Sequence, residues 1–327
     1  MKTNTSRSRA SYFSAGSPMH SPYRQQGVVI VVALFIVALV ATMSYVMMAR
    51  LERDTRRTTL LVRDTQAALY AQGSIAWAMD QLRDNWAKRK PNQLVDHTPI
   101  QSPENEANGY RIKSTIYDMQ ARFNLNNLAD EKGQQCFKRL LKIVDATLTP
   151  EQIENIQRAT TDWILPGANQ NQFGRYYAEL SQPYRAAHRP MVSASELRLV
   201  KGIDAKLLTA LQPYITALPE NTLINVQSAP PIILMMLSEN MDLSAAKGVE
   251  LLRSTTPFTS NQAFLNVDIV KNHQIKSDQI TVTSRYFLVE TEVAVDNQRT
   301  VLYTLLKRLE QGKKASILIL WQSKGVW

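Results

Sequence analysis

The chain has 327 residues, 38 Lys and Arg against 28 Asp and Glu, and 44% hydrophobic residues. That length supports one large domain or two modest ones, and 11 Gly with 14 Pro are too few for a fibrous or low-complexity protein. A single cysteine, Cys136, excludes an internal disulfide, and four scattered histidines argue against a dedicated His/Cys metal centre.

The positive charge is uneven. Lys2, Arg7, Arg9 and Arg24 fall within residues 1–27, which hold no acid. From Val28 to Ala49 the chain then runs VVIVVALFIVALVATMSYVMMA, with no charge, Gly or Pro. As a helix this run would span roughly 33 Å, enough for a bilayer core of ~30 Å. It is too long for the apolar part of an ordinary secretory signal, and no small-x-small cleavage site follows it. Basic residues precede it, so the N-terminus should stay cytoplasmic and everything after Ala49 should lie across the membrane.

Arg50 to Asp64 continues without a helix breaker and mixes five bases with three acids. Ala67, Ala68, Ala71, Ile75, Met79 and Leu82 then recur at helical spacing and make one apolar stripe. The pattern predicts one helix from about Val28 to Trp86, with its first third in lipid and its last half packed on a soluble domain.

A basic leader ending in Gly27, followed by a hydrophobic helix that runs into an amphipathic one, resembles the type IV prepilins and pseudopilins. The resemblance implies that a membrane-embedded prepilin peptidase cuts after Gly27 and that Val28 becomes the N-methylated mature N-terminus. Pilins usually carry glutamate at the fifth mature position; here it is Val32. That departure resembles the minor pseudopilin K of type II secretion systems. Starting at Met19 would give the nine-residue leader MHSPYRQQG, closer to the usual length than the one counted from Met1.

Pro91–Gly109 reads as a surface connection and Tyr110–Tyr117 (YRIKSTIY) as a strand. Next comes Asp118–Leu128, whose Phe123-Asn124-Leu-Asn126-Asn-Leu128 is similar to a K-pseudopilin signature; physically, such Asn-rich turns cap strand and helix ends. Phe137, Leu140, Leu141 and Val144 mark one helix, and Thr149-Pro150-Glu151 opens another. Asp162-Trp163, the segment Tyr184–Pro190, Ser193–Gly202 with Glu196, Leu197 and Gly202, and Leu223–Pro230 with Asn225 also match the K pattern. A second helical block runs from Pro230 to about Phe264. Strands return at Ile280–Val289 and Thr300–Leu306, and Gln311–Trp327 reads as a last strand in preference to an exposed docking segment.

The fold expected is α+β: a long pilin-like N-terminal helix on an antiparallel sheet, with a large inserted all-helical domain. The parts are a leader (1–27), the transmembrane and amphipathic helix (28–90), a first sheet portion (91–128), the insertion (129–275), and returning strands with a tail (276–327). The resemblance implies a non-enzymatic protein at the tip of the type II secretion pseudopilus. Its expected partners are the minor pseudopilins I and J, the prepilin peptidase and the inner-membrane assembly platform, with secreted substrates or the secretin as further contacts. It implies an inner-membrane anchor with a periplasmic domain, and a calcium loop, here Asp162–Tyr184, whose only acids are Asp162 and Glu179. No cofactor is therefore expected, although the resemblance allows calcium at a loop whose acidic ligands are depleted.

The rival reading is a membrane-anchored DNA-binding protein using two helix-hairpin-helix turns, Leu199–Asp204 and Leu237–Asp242. Asp204, Glu239 and Asp242 stand where a phosphate would approach, which argues for helix packing and against nucleic acid. A blander alternative is an anchored periplasmic scaffold that is never cleaved. Cys136 reads as a buried inert thiol, and no nucleotide loop, HExxH or GxSxG occurs.

Overall fold

The computed structural model describes residues 23–88, 99–166, 173–296, 298–312 and 314–325. The leader up to Pro22, with the start at Met19, lies outside the described residues. So do 89–98, within the expected connection, and 167–172, within the expected calcium loop.

The first element is helix α1, Tyr23–Ala87, as the unbroken run of helix-compatible residues requires. The chain divides into two units at Arg63/Asp64. In the first, every residue from Val28 to Met48 is exposed, so among the described residues nothing covers this apolar surface.

In the second unit, α1 packs on a sheet. Its strands are β1 (Ile100–Gln101), β2 (Asn105–Ala107), β3 (Tyr110–Asp118), and later in the chain β8 (Tyr286–Val295), β9 (Gln298–Gln311) and β10 (Lys314–Lys324). The order is β1-β3-β8-β9-β10 with β2 on β3, antiparallel throughout. Successive residues of β8 alternate between the two faces, as strand geometry dictates. Phe287 and Val289 pack with Ile75, Ala78 and Leu82, whereas Tyr286 and Leu288 pack with Met119 and Leu218.

Alanine at positions 67, 71 and 78 lets the helix lie close on the sheet, with each buried. Ala67 and Ala71 meet Tyr110 at the start of β3, and Ile75 to Leu82 meet Ile116 near its end. Strand β3 therefore runs toward the C-terminal turns of α1. There Trp86 Nε1 donates to the Gly312 carbonyl at 3.1 Å, and the buried Arg308 guanidinium lies 4.6 Å from the Trp86 ring centre.

Between β3 and β8 the chain leaves the sheet for residues 119–285. This stretch holds β4 (Phe123–Asn124), α2 (Glu131–Val144), α3 (Pro150–Ile164), α4 (Gly174–Ala178), α5 (Ala205–Leu211), β5 (Ile215–Thr216), β6 (Ile224–Asn225), α6 (Pro231–Met236), α7 (Leu243–Thr255), α8 (Asn261–Leu265), α9 (Asp268–Lys271) and β7 (Ile280–Thr281). Strand β4 pairs in parallel with β5, and β6 with β7. A separate apolar core, including Phe137, Leu140, Trp163 and Leu211, holds the stretch together. The fold is α+β.

Three local expectations change. The connection before Tyr110 contributes β1 and β2 to the sheet edge. The strand read from Ile280 to Val289 divides into β7 and β8, because Ser284 turns inward to bond Asp118. The excursion from the sheet is wider than the 129–275 read from periodicity, since its flanking turns are short 3₁₀ segments without a repeat. The tail forms β10, as expected.

Candidate functional site

Two places concentrate the expected functional residues: the apolar start of α1, and the junction where the helical stretch leaves and rejoins the sheet. Gly27 lies within α1 with an exposed position, and Val28 is 65% exposed. The most apolar 18-residue window of this helix has a mean hydropathy of 2.8, and none of it is buried. Val32, also exposed, offers no charge to a neighbouring helix.

At the junction, buried amides replace periodic secondary structure. Asn124 caps the following turn, its Oδ1 accepting from Asn126 N and from Leu218 N at 3.0 Å. Its Nδ2 donates to the Glu220 carbonyl at 2.8 Å. Asn126 clamps two distant segments: Oδ1 accepts from Met191 N at 2.8 Å, and Nδ2 donates to the carbonyls of Met191 and Leu218. Asn127 completes the set by pairing with both backbone groups of Thr222. The Asn-rich signature is thus a staple between β4 and the β5–β6 loop. Each buried amide finds backbone partners, which burial demands. Phe123 stacks on Phe137 at 5.7 Å between ring centres and ties the staple to α2.

Asn225 stands one layer closer to the sheet. Its Nδ2 donates to Asp118 Oδ2 at 2.7 Å and to Ser284 Oγ at 2.9 Å. Asp118, at the end of β3, also accepts from Ser284 at 2.6 Å, from Ser228, and from Gln120 N through Oδ1 at 2.8 Å. One buried carboxylate therefore ties the exit strand, the middle of the helical stretch and the re-entry into β8. Sequence reasoning singled out Asn225, whereas Asp118 only opened the Asn-rich stretch and was given no role. The only available signal was an acid closing a strand beside the Asn-rich turn. Sequence reasoning missed Gly133, where a Cβ would stand 1.9 Å from the Asn127 carbonyl.

The remaining motif residues lie away from this junction. Asp162 and Trp163 fall in the last turn of α3, both buried. Trp163 sits edge-on to Tyr177 and Tyr184 at 5.6 and 6.2 Å. Burial pushes the Asp162 carboxyl up, and His188 opposes the shift. Glu196 closes a capping box with Ser193 while accepting from Val192 N at 2.8 Å, and Leu197 is fully buried. Gly202 has φ +88°, and a Cβ there would meet Ile156 Cγ1 at 2.8 Å. These residues position backbone and core; they do not converge on a reaction centre.

Burial also pushes the Cys136 thiol up to about 11, so it stays protonated at neutral pH. Among the described residues, no three His, Cys, Asp or Glu side chains gather where a metal ion could sit. Of the two acids in the expected calcium loop, Asp162 has its carboxyl raised by burial, and Glu179 accepts from Arg175 Nε at 2.7 Å. The hairpin turns are occupied by the protein itself. Asp204 Oδ1 accepts from Leu207 N at 2.7 Å, and Asp242 Oδ1 accepts from Ala245 N at 2.7 Å. Each carboxylate fills the helix N-terminus that a phosphate would need.

Residues 121–220 match the family model described as Type II secretion system (T2SS), protein K. The type II secretion system protein K of Klebsiella pneumoniae is 28% identical over 322 residues, spanning 90% of this chain and 96% of its own. That of Pseudomonas aeruginosa is 29% identical over 308 residues, spanning 88% and 90%. The chain is thus similar to type II secretion system protein K over most of its length. The fold agrees with a solved chain from the GspK-GspI-GspJ complex of the enterotoxigenic Escherichia coli type 2 secretion system, at TM-score 0.70 and 23% identity. That match covers 82% of this chain and 99% of the other. The model match runs from just before the Asn-rich signature to Glu220, so it holds the staple's asparagines with their Met191, Leu218 and Glu220 partners, while Thr222 lies just beyond it.

Proposed function

We propose that this chain is a non-enzymatic minor pseudopilin K at the tip of the type II secretion pseudopilus, where it supports pilus assembly and export across the outer membrane. In this reading the prepilin peptidase cuts between Gly27 and Val28, and Val28 is methylated. The apolar start of α1 rests in the inner membrane until the assembly platform extracts it, and the sheet and helical stretch lie in the periplasm. The observation that carries the proposal is the uncharged, fully exposed run that begins immediately after Gly27. A helix of bilayer length with no apolar partner among the described residues calls for lipid or neighbouring helices.

Two features support the tip position. Val32 lacks the carboxylate that would pair with a neighbour's terminal amine. The helical stretch leaves the sheet at the end facing the last turns of α1, where it would obstruct a subunit stacking above. The solved complex that contains the similar GspK chain supports minor pseudopilins I and J as partners. No cofactor is required in this reading, and a calcium site in this loop would have only Asp162 and Glu179 as acids to build on.

Co-expression with the system's own I and J proteins tests the partnership: a complex containing all three should co-purify from detergent-extracted membranes. Recovery of the chain alone under conditions that preserve an I–J pair would contradict it. A Gly27→Glu variant should remain uncut in the membrane and fail to support secretion.

A further inference from the structure

The stretch immediately after the apolar run has a property that its anchor role does not require. Arg50, Arg53, Arg56, Arg57 and Arg63 face only Glu52 and Asp54 before the first unit ends. Bases on this side run against the charge bias that orients the span, so they call for a separate cause. At about 100° per residue, Arg50, Arg53 and Arg57 fall within roughly 60° of arc on one face of α1. All three are exposed, and among the described residues none forms an ion pair. Arg53 Nε reaches back to the Ala49 carbonyl at 2.9 Å, toward the apolar run. Asp54 stands beside this face and pairs with none of the three, whereas Glu52 and Arg63 lie away from it.

We propose that Arg50, Arg53 and Arg57 form a binding face for the phosphate groups of anionic phospholipids in the leaflet that α1 leaves. Length sets the depth. The apolar run covers about 33 Å, so Arg50 stands at the edge of a hydrocarbon core of ~30 Å, and Arg53 follows about 4.5 Å further on. Arg57 lies about 10 Å beyond Arg50, but helical side chains lean toward the N-terminus, which returns its guanidinium toward the headgroup layer. Guanidinium forks bind phosphate oxygens in pairs, so this face prefers an anionic headgroup to a zwitterionic one. Each arginine near a charged bilayer surface contributes about a fivefold gain in affinity, and three contribute on the order of a hundredfold. The face would hold the subunit in the membrane before extraction. This inference rests on the membrane reading of α1.

The test uses the full chain, extracted from membranes in neutral detergent and exposed to equal amounts of phosphatidylglycerol and phosphatidylethanolamine. Retained lipid is then weighed by native mass spectrometry. The wild type should retain phosphatidylglycerol preferentially. The R50Q/R53Q/R57Q variant should lose that preference by at least tenfold, R50K/R53K/R57K should keep part of it, and Arg63→Gln should keep it all. Equal retention of the two lipids by the wild type, or an unchanged preference in the glutamine variant, overturns the proposal while leaving the anchor intact. A wild-type chain absent from the membrane fraction overturns both.

Discussion

The sheet frame and the helical stretch it carries are stabilised in different ways. The frame relies on long antiparallel ladders and one alanine-rich helical stripe, so its strength is spread over many modest apolar contacts. The helical stretch consists of short helices, two-residue parallel strand pairs and 3₁₀ turns, none of which is stable alone. It depends on a few buried polar side chains, each bonding to segments far away in the chain. A distributed frame should lose stability gradually as contacts are removed, whereas the stapled stretch should fail at single residues.

The largest expected effect is at the point where the two regions meet. Asp118→Ala would leave Asn225, Ser228 and Ser284 without their shared acceptor, at a cost of about 3–5 kcal/mol. Limited proteolysis should then cut the helical stretch while the sheet and its helix survive. Loss of both together would show that the distinction between the regions is false.

Leu82→Ala tests the frame. Deleting a buried leucine costs about 2–4 kcal/mol, and the damage should appear as earlier hydrogen exchange in β8 and β9 before any change around Asn126. Gly202→Ala should cost about 1–3 kcal/mol in denaturant unfolding, from its positive φ and the contact with Ile156.

The smallest effect concerns pH. Glu220 is held below its ordinary value by the Tyr286 hydroxyl, then by Lys307 and Arg285. A depressed carboxylate adds stability that is complete above its unfolded pKa and is lost as pH falls through the folded one. Stability should therefore decline below about the ordinary value of 4.5, and Glu220→Gln should flatten that decline. The residue is partly exposed, so the change should be modest. An unaltered acid limb in the variant would remove Glu220 from this account.

The same contrast explains what the sequence disclosed. The apolar run, the stripe from Ala67 to Leu82, the alternation in Tyr110–Tyr117 and the proline-opened helix α3 are periodic or carry local caps, so neighbouring residues reveal them. Asp118 and Asn225 are 107 positions apart, and no periodicity connects them. Gly133 matters only because Asn127 approaches from another element. The Asn-rich signature was visible, but its role as a long-range staple depends on Met191, Leu218 and Thr222, which local turn chemistry does not reach. The hairpin turns were legible as helix packing with carboxylates set against a phosphate, and the structure adds that Asp204 and Asp242 cap the helices that follow.

The central claim is that α1 begins, in the working protein, at Val28. Its most direct test is the intact mass of the chain extracted from membranes, with and without an active prepilin peptidase. The account predicts a product starting at N-methylated Val28 only when the peptidase is active. An identical, uncut chain in both preparations would contradict it.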